Sequence, residues 1–185
     1  MGGHAGRGHA RDSAFREFYV ARVSGLRATA YLLCGDWHLA EDLVQAAFTK
    51  LYLAWQRVQA YEHLDQYVRR ILVRTFLSER RRASRREHPV DQVPDAGLSG
   101  WMGGLDTGAD RGAEERLILL AALAVLPPRQ RAVLVLRFWE DLSVGQTAEL
   151  LRVSTGSVKT HTSRGLATLR VHLGDLNVLA AEAAL

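Results

Sequence analysis

Residues 88–110 limit what this chain can fold into, because no regular element runs easily through them. The stretch contains Pro89 and Pro94, several glycines and four aspartates, and it has no lysine or arginine. Proline and glycine interrupt helices and strands, so this composition is typical of a linker. On both sides the apolar residues recur at helical spacing, without the alternation of a strand. The sequence therefore predicts an all-α protein of two small helical domains joined by a flexible acidic linker.

The domain boundaries follow from the same changes in composition. Residues 1–13 consist largely of glycine, histidine and arginine, and they are expected to form a disordered leader. The first helical domain is predicted over residues 14–87 and the linker over residues 88–112. The second helical domain is predicted over residues 113–173, followed by a C-terminal tail over residues 174–185.

A strongly basic segment ends the first domain. Eight of the eighteen residues from Arg69 to Arg86 are arginine and one, Glu79, is acidic, although the formal net charge of the whole chain is +4. On a helix four of these arginines fall within about 60° of one another: Arg70, Arg74, Arg81 and Arg85. Acidic partners at helical spacing are nearly absent, so this face is predicted to meet a polyanion rather than to be neutralised by its own helix.

The apolar residues of this helix predict a buried opposite face, formed by Val68, Ile71, Leu72 and Phe76. Val73 and Leu77 lie near the arginine stripe instead. They either pack on a neighbouring helix or contact the sugar edge of a nucleic acid.

The second domain contains the pattern of a helix-turn-helix. Ser143 and Gln146 form a capping box, and Ser154 can cap a second helix after a very short turn. Ala148, Leu151, Val153 and Val158 are placed to form the shared core. The second helix then exposes six polar residues that are candidate DNA contacts: Thr155, Ser157, Lys159, Thr160, Ser163 and Arg164. An ordinary helical hairpin with a polar face is the alternative.

Signs of catalysis, metal binding and membrane insertion are missing from the sequence. There is no Gly-rich phosphate loop, no HExxH motif and no cysteine pair, and Cys34 is the single cysteine. No enzyme activity, catalytic residue, cofactor or metal site is therefore predicted. The longest apolar run, Leu117 to Leu126, has ten residues, whereas a membrane span needs about 20. No secretory signal is visible, and a cytoplasmic location is expected.

Three segments together resemble a known family. LPPRQRAVLVLRFWEDLSVGQTAELLRVSTGSVKTHTSRGLATLR resembles region 4 of bacterial extracytoplasmic-function (ECF) sigma factors, in particular the sigma-E-like actinobacterial group. AEDLVQAAFTKLYLAW and YVRRILVRTFLSERRR resemble region 2 of the same sigma-70 family proteins. The resemblance covers roughly residues 14–172, apart from the linker. The chain departs from the family pattern at four positions, where Arg74, Ser78, Thr147 and Arg152 replace the usual residues.

The resemblance implies a sigma factor that binds the RNA polymerase core through its beta-prime and beta subunits, recognises the minus-35 and minus-ten promoter elements, and initiates transcription. In region 2, Tyr61 and His63 would line the pocket for a flipped base, beside the DNA contacts Arg70, Arg74, Arg81 and Arg85. Asp42, Gln45 and Thr49 would bind the polymerase.

The resemblance also admits an anti-sigma factor as a further partner. The aspartates of the linker would either mimic nucleic acid in the polymerase or form a plain acidic spacer. The alternative function is a stand-alone helix-turn-helix transcriptional regulator.

Overall fold

The computed structural model describes residues 3–86 and 111–183, and all the regular elements in these two ranges are helices. The first module contains three of them: α1 (Gly3–Cys34), α2 (Trp37–Val58) and α3 (Leu64–Arg86). The second contains α4 (Arg111–Ala124), α5 (Pro128–Leu134), α6 (Val144–Leu151) and α7 (Thr155–Ala183). The predicted fold class, two helical domains without strands, is confirmed. The predicted linker aspartates, Asp91, Asp95, Asp106 and Asp110, lie outside the described residues.

Helix α2 forms the centre of the first module. Its N-terminus is capped by Asp36, whose carboxylate accepts a hydrogen bond from the Leu39 N–H at 2.7 Å. The preceding Gly35 has a φ of 73°, a left-handed conformation that glycine adopts without a steric cost, and this allows the short turn from α1. Four apolar residues of α2 recur every four positions and are buried between α1 and α3: Leu43, Ala47, Leu51 and Trp55.

Helix α1 begins at Gly3. It therefore includes most of residues 1–13, for which the sequence predicts a disordered leader. The Arg11 guanidinium lies 4.6 Å from the centre of the Tyr52 ring, and the Tyr52 hydroxyl donates a hydrogen bond to Asp12 at 2.9 Å. The Phe15 ring packs edge-on against Trp55. These contacts join residues 11–15 of α1 to α2. The contacting residues are 40 or more positions apart in sequence, where composition gives no signal.

The helix-turn-helix of the second module has the predicted geometry. Ser143 and Gln146 form the complete capping box of α6, and Ser154 accepts a hydrogen bond from the Ser157 N–H at the start of α7. Val133, Ala148 and Val158 form the core between the helices, with Leu151 and Val153 packed beside them. Arg152 ends α6 in the left-handed conformation (φ 55°) that a glycine usually adopts at this turn. The backbone of α7 remains helical to Ala183, through most of the predicted C-terminal tail.

Helix α5 continues into one wider, π-helical turn over Val135–Trp139. The N–H of Glu140 closes this turn by donating to the Val135 carbonyl at 3.1 Å. Glu140 thereby reaches the first module, where its carboxylate pairs with Arg69 at 2.5 Å and accepts a hydrogen bond from the Thr29 hydroxyl. The wider turn thus places a carboxylate of the second module on the first.

The two modules also share an apolar core. Ala132, Leu136, Leu142 and Leu150 of the second module belong to the same buried cluster as the core residues of α1, α2 and α3. Val73 is fully buried and Leu77 packs against this cluster, so of their two predicted roles the structure selects packing on a neighbouring helix. Helix α3 is therefore covered on two sides, by α1 and α2 on one and by α5 and α6 on the other.

A buried guanidinium completes the contact between the modules. The Arg131 side chain of α5 is 3% exposed and donates hydrogen bonds to the Leu33 carbonyl at 3.0 Å and the Ala124 carbonyl at 2.7 Å. The first carbonyl belongs to the last turn of α1 and the second to the last turn of α4. Burial, and then the charge of Arg80, lower the pKa of Arg131 to about 10, so the side chain stays protonated at neutral pH.

We expect Arg131→Ala to lower the free energy of unfolding by about 3 kcal/mol, because it leaves buried carbonyls without donors and opens a cavity. Arg131→Lys should recover only part of this loss, since a single ammonium lacks the span of the guanidinium. The measurement is urea unfolding followed by circular dichroism. Arg129→Ala, at an exposed position of the same helix, is the control and should change stability by less than about 0.5 kcal/mol. Equal stability of the two alanine variants would show that Arg131 does not hold the contact.

Thr147 gives a second stability prediction. It replaces the branched aliphatic residue usual in the family that the sequence resembles. It is fully buried, and its hydroxyl has no hydrogen-bond partner among the described residues. Thr147→Val keeps the shape and removes the unpaired hydroxyl, so we expect a gain of about 1 kcal/mol. The same substitution at the exposed Thr160 should give no comparable gain in thermal unfolding. A Thr147→Val protein that is less stable than the parent would mean that the hydroxyl is satisfied in solution.

Candidate nucleic-acid interface

The first part of α7 presents one polar face to solvent. Val158 and Gly165 are buried against α5 and α6, and they lie seven residues apart on the same side of the helix. The opposite side is exposed and carries five of the six predicted DNA contacts: Thr155, Lys159, Thr160, Ser163 and Arg164. This face has two cations and three small hydroxyls, which is a surface able to approach phosphates and base edges in a major groove.

Ser157, the sixth predicted contact on α7, has a different environment. Its side chain is partly buried, and its hydroxyl lies 2.9 Å from the Ser154 hydroxyl, which caps the helix. The hydroxyl of Ser157 is therefore already engaged in the cap. Its neighbours Thr155 and Lys159 are exposed.

The arginines of α3 do not form one uniformly free stripe. Arg81 and Arg85 are exposed near the end of the helix, whereas Arg70 and Arg74 are partly covered by the second module. Arg70 pairs with Glu149 of α6 at 3.3 Å. Burial lowers the pKa of Arg74, and the charges of Arg152 and Arg70 lower it further. Half of the predicted phosphate-binding face is thus accessible and half lies at the contact between the modules.

Tyr61 and His63 lie in the turn between α2 and α3, and both side chains are exposed. The Tyr61 ring stands edge-on to Tyr67, with ring centres 6.1 Å apart, which gives the turn an aromatic wall. This turn adjoins the N-terminus of α3. With a rise of about 1.5 Å per residue, that end of the helix lies about 30 Å from Arg85. The region 2 candidates are therefore distributed along the length of α3.

Asp42, Gln45 and Thr49 form a single exposed stripe on α2. Their spacing of three and four residues brings them to one face of the helix, opposite the buried Leu43, Ala47 and Leu51. Among the described residues, this stripe makes none of the interactions that hold the first module together, so its side chains face solvent there.

Sequence reasoning missed four charged residues that matter to these surfaces. Arg69, Glu140 and Glu149 take part in the ion pairs between the modules, and Arg131 is buried. Glu140 and Glu149 lie 71 and 79 residues from their partners. No periodic pattern connects positions so far apart, and only the contact between the modules brings them together.

The described residues also show what kinds of site this surface does not resemble. Burial raises the pKa of Cys34 to about 11, so its thiol stays protonated and is a poor nucleophile at neutral pH. Within residues 3–86 and 111–183 there is no cluster of three or more histidine, cysteine or acidic side chains able to hold a metal ion. In the same ranges no helix is long and apolar enough to cross a membrane.

Solved structures share the architecture. The sigma factor RpoE in complex with the anti-sigma factor NepR from Bartonella quintana matches 86% of this chain and 96% of its own, with a TM-score of 0.63 and 20% identity. CnrH in complex with the cytosolic domain of CnrY matches 89% of this chain and 90% of its own, with a TM-score of 0.61 and 19% identity. At these identities the likeness establishes the fold.

Comparison of sequences establishes the family. The Sigma-70 region 2 model matches residues 18–86 and the Sigma-70, region 4 model matches residues 116–169. The RNA polymerase sigma-E factor of Streptomyces avermitilis is 35% identical over 176 residues, which cover 94% of each chain. The ECF RNA polymerase sigma factor SigW of Bacillus subtilis is 28% identical over 89% of this chain and 91% of its own.

The matches disfavour a stand-alone helix-turn-helix regulator, because they include the region 2 module as well as the region 4 module. The sigma-E relatives from Streptomyces align with this chain, across both modules, over more than 90% of their own length. This chain therefore belongs to the sigma-70 family of RNA polymerase sigma factors, in its extracytoplasmic-function group, and its function is in transcription initiation.

Proposed function

We propose that the chain recognises promoters through two surfaces, one on each module, and binds core polymerase through the exposed stripe of α2. The polar face of α7 reads the minus-35 element. Helix α3, with the turn that carries Tyr61 and His63, engages and opens the minus-ten element. The observation that carries this assignment is the polar face of α7, whose cations and hydroxyls stand free of the core.

The domain assignment belongs to the same proposal. Residues 14–87 act as the minus-ten and polymerase-binding domain, and residues 113–173 act as the minus-35 domain. Asp42, Gln45 and Thr49 bind the beta-prime subunit of the polymerase. The chain acts in the cytoplasm, where polymerase and promoter DNA are found.

An anti-sigma factor is a further proposed partner. Two of the solved structures with this fold are complexes, one with an anti-sigma factor and one with the cytosolic domain of another protein.

The ion pairs of α3 imply a rearrangement on promoter binding. Arg70 is paired with Glu149, and Arg74 lies near Arg152, so the second module covers part of the face proposed to meet DNA. Promoter phosphates reach these arginines only when α6 moves away from α3. Separation of the two modules is therefore a step that precedes engagement of the minus-ten element.

Run-off transcription with bacterial core polymerase tests the role of α3. We expect Arg70→Ala, Arg74→Ala and Arg81→Ala together to reduce transcripts at least tenfold, because three phosphate-binding cations are lost, while binding to core polymerase is unchanged. A triple variant at exposed arginines elsewhere, Arg16→Ala, Arg57→Ala and Arg170→Ala, has the same net charge and should retain transcription. Equal loss in both variants would assign the effect to overall charge and not to α3.

The salt dependence of promoter binding by the holoenzyme tests the role of α7. Lys159→Ala with Arg164→Ala removes two proposed phosphate contacts, so the slope of log affinity against log salt should become shallower by about 1.8. Arg170→Ala, farther along the same helix, serves as the control and should leave the slope unchanged. Fluorescence anisotropy of a labelled promoter fragment at several salt concentrations measures both. An unchanged slope in the double variant would remove α7 from the minus-35 contact.

A further inference from the structure

A cationic cleft of about 1090 Å³ lies between the two modules. One wall is formed by α3 from Ile71 to Arg82, together with Lys50 of α2, and the other is formed by the start of α5, the turn after α6 and part of α7. Each wall contributes positively charged or titratable side chains: Arg74, Arg80 and Arg81 from α3, and Arg129, Arg152 and His161 from the second module. The cleft exists only while the modules are in contact.

Among the described residues, carboxylates do not balance the positive charge of this cleft. Glu79 is the one carboxylate among the described residues that line it, and Glu79 already pairs with Arg82 at 3.1 Å. The charges repel one another. Burial lowers the pKa of Arg74, and the charge of Arg152 lowers it further. Burial also lowers the pKa of His161, and the charge of Arg129 lowers it further. A negatively charged ligand would remove this repulsion.

Two side-chain nitrogens of the lining residues also have no partner in the described part of the chain. The Nε of Arg80 and the Nδ1 of His161 are buried and make no hydrogen bond. They come from opposite walls, so a ligand that satisfies both must lie between the modules. Arginine donors match phosphate oxygens with two parallel hydrogen bonds, and phosphate is therefore the anion that this geometry favours.

The size of the cleft restricts the ligand further. Its volume of about 1090 Å³ is close to the upper end of the range for small-molecule sites, about 300–1000 Å³. Several cations at once require an anion of more than one charge. Apolar side chains also line the cleft, among them Ile71, Pro127 and Pro128. They provide a surface on which a nucleobase can pack beside the phosphates.

We propose that the cleft binds one small polyphosphate anion, either free or as the phosphate chain of a nucleotide, through cations supplied by both modules. Arg80 and Arg81 contact the anion from α3, and Arg129 and Arg152 contact it from the second module. Because the two walls belong to different modules, the bound anion stabilises the closed arrangement of the chain.

Isothermal titration calorimetry with the full chain tests this proposal, with sodium tripolyphosphate and GTP as probes at low ionic strength and without divalent cations. Arg129→Ala with Arg152→Gly removes two charges from one wall, and glycine keeps the left-handed backbone at position 152. We expect one equivalent to bind to the parent, and at least tenfold weaker binding in this variant. Arg16→Ala with Arg170→Ala has the same net charge with an intact cleft and should bind like the parent.

The opposite wall and the two forms of the ligand are tested in the same way. Arg80→Ala should also weaken binding at least tenfold, because the site needs both modules. Tighter binding of GTP than of tripolyphosphate supports a nucleotide, and equal binding supports recognition of the phosphate chain alone. The proposal is overturned by no binding to the parent, by equal weakening in the control variant, or by weakening on the α3 wall only. None of these measurements includes polymerase or promoter DNA, so they are independent of the function proposed above.

Discussion

The contact between the two modules depends on the buried guanidinium of Arg131. The Leu33 carbonyl, near the end of α1, and the Ala124 carbonyl, at the end of α4, both accept its hydrogen bonds. Helix C-termini carry partial negative charge and unpaired carbonyls, so a cation placed between two of them satisfies both needs at once. Burying a charge is costly, and its pKa falls to about 10 as a result. The paired carbonyls offset this cost, which ties the first module to the second at a fixed point.

Local chemistry was enough to predict the separate elements. The caps of α6 and α7 depend on Ser143 and Ser154 and on residues three positions away, and both form as the sequence indicates. The apolar face of α2 follows from helical periodicity alone. The exposed face of α7 follows from the same rule, and its assignment to DNA stays a prediction, as do the residues proposed on α2 and α3.

Contacts distant in sequence could not be predicted, and they account for the differences. The arginines of α3 have few acidic partners on their own helix, but Arg69 and Arg70 find Glu140 and Glu149 on another module. Val73 faces the arginine stripe on a helical wheel, yet it is buried because a second module covers that side. Arg11 and Asp12, predicted as part of a disordered leader, lie in α1 and contact Tyr52 of α2. To predict these contacts one must know which helix surfaces meet in the fold, and helical periodicity gives no information on which surfaces meet.

The strengths of these contacts decide what could open the closed arrangement. The Arg70–Glu149 pair is worth less than about 1 kcal/mol, since the Glu149 side chain is 75% exposed and solvent and salt screen it. Leu136, Leu142 and Leu150, by contrast, are buried in the shared core, and each contributes on the order of 2 kcal/mol. Salt alone therefore weakens the surface pairs without separating the modules. Separation requires a partner that replaces the apolar contact, and a polymerase surface large enough to bind both modules meets that requirement better than promoter phosphates acting alone.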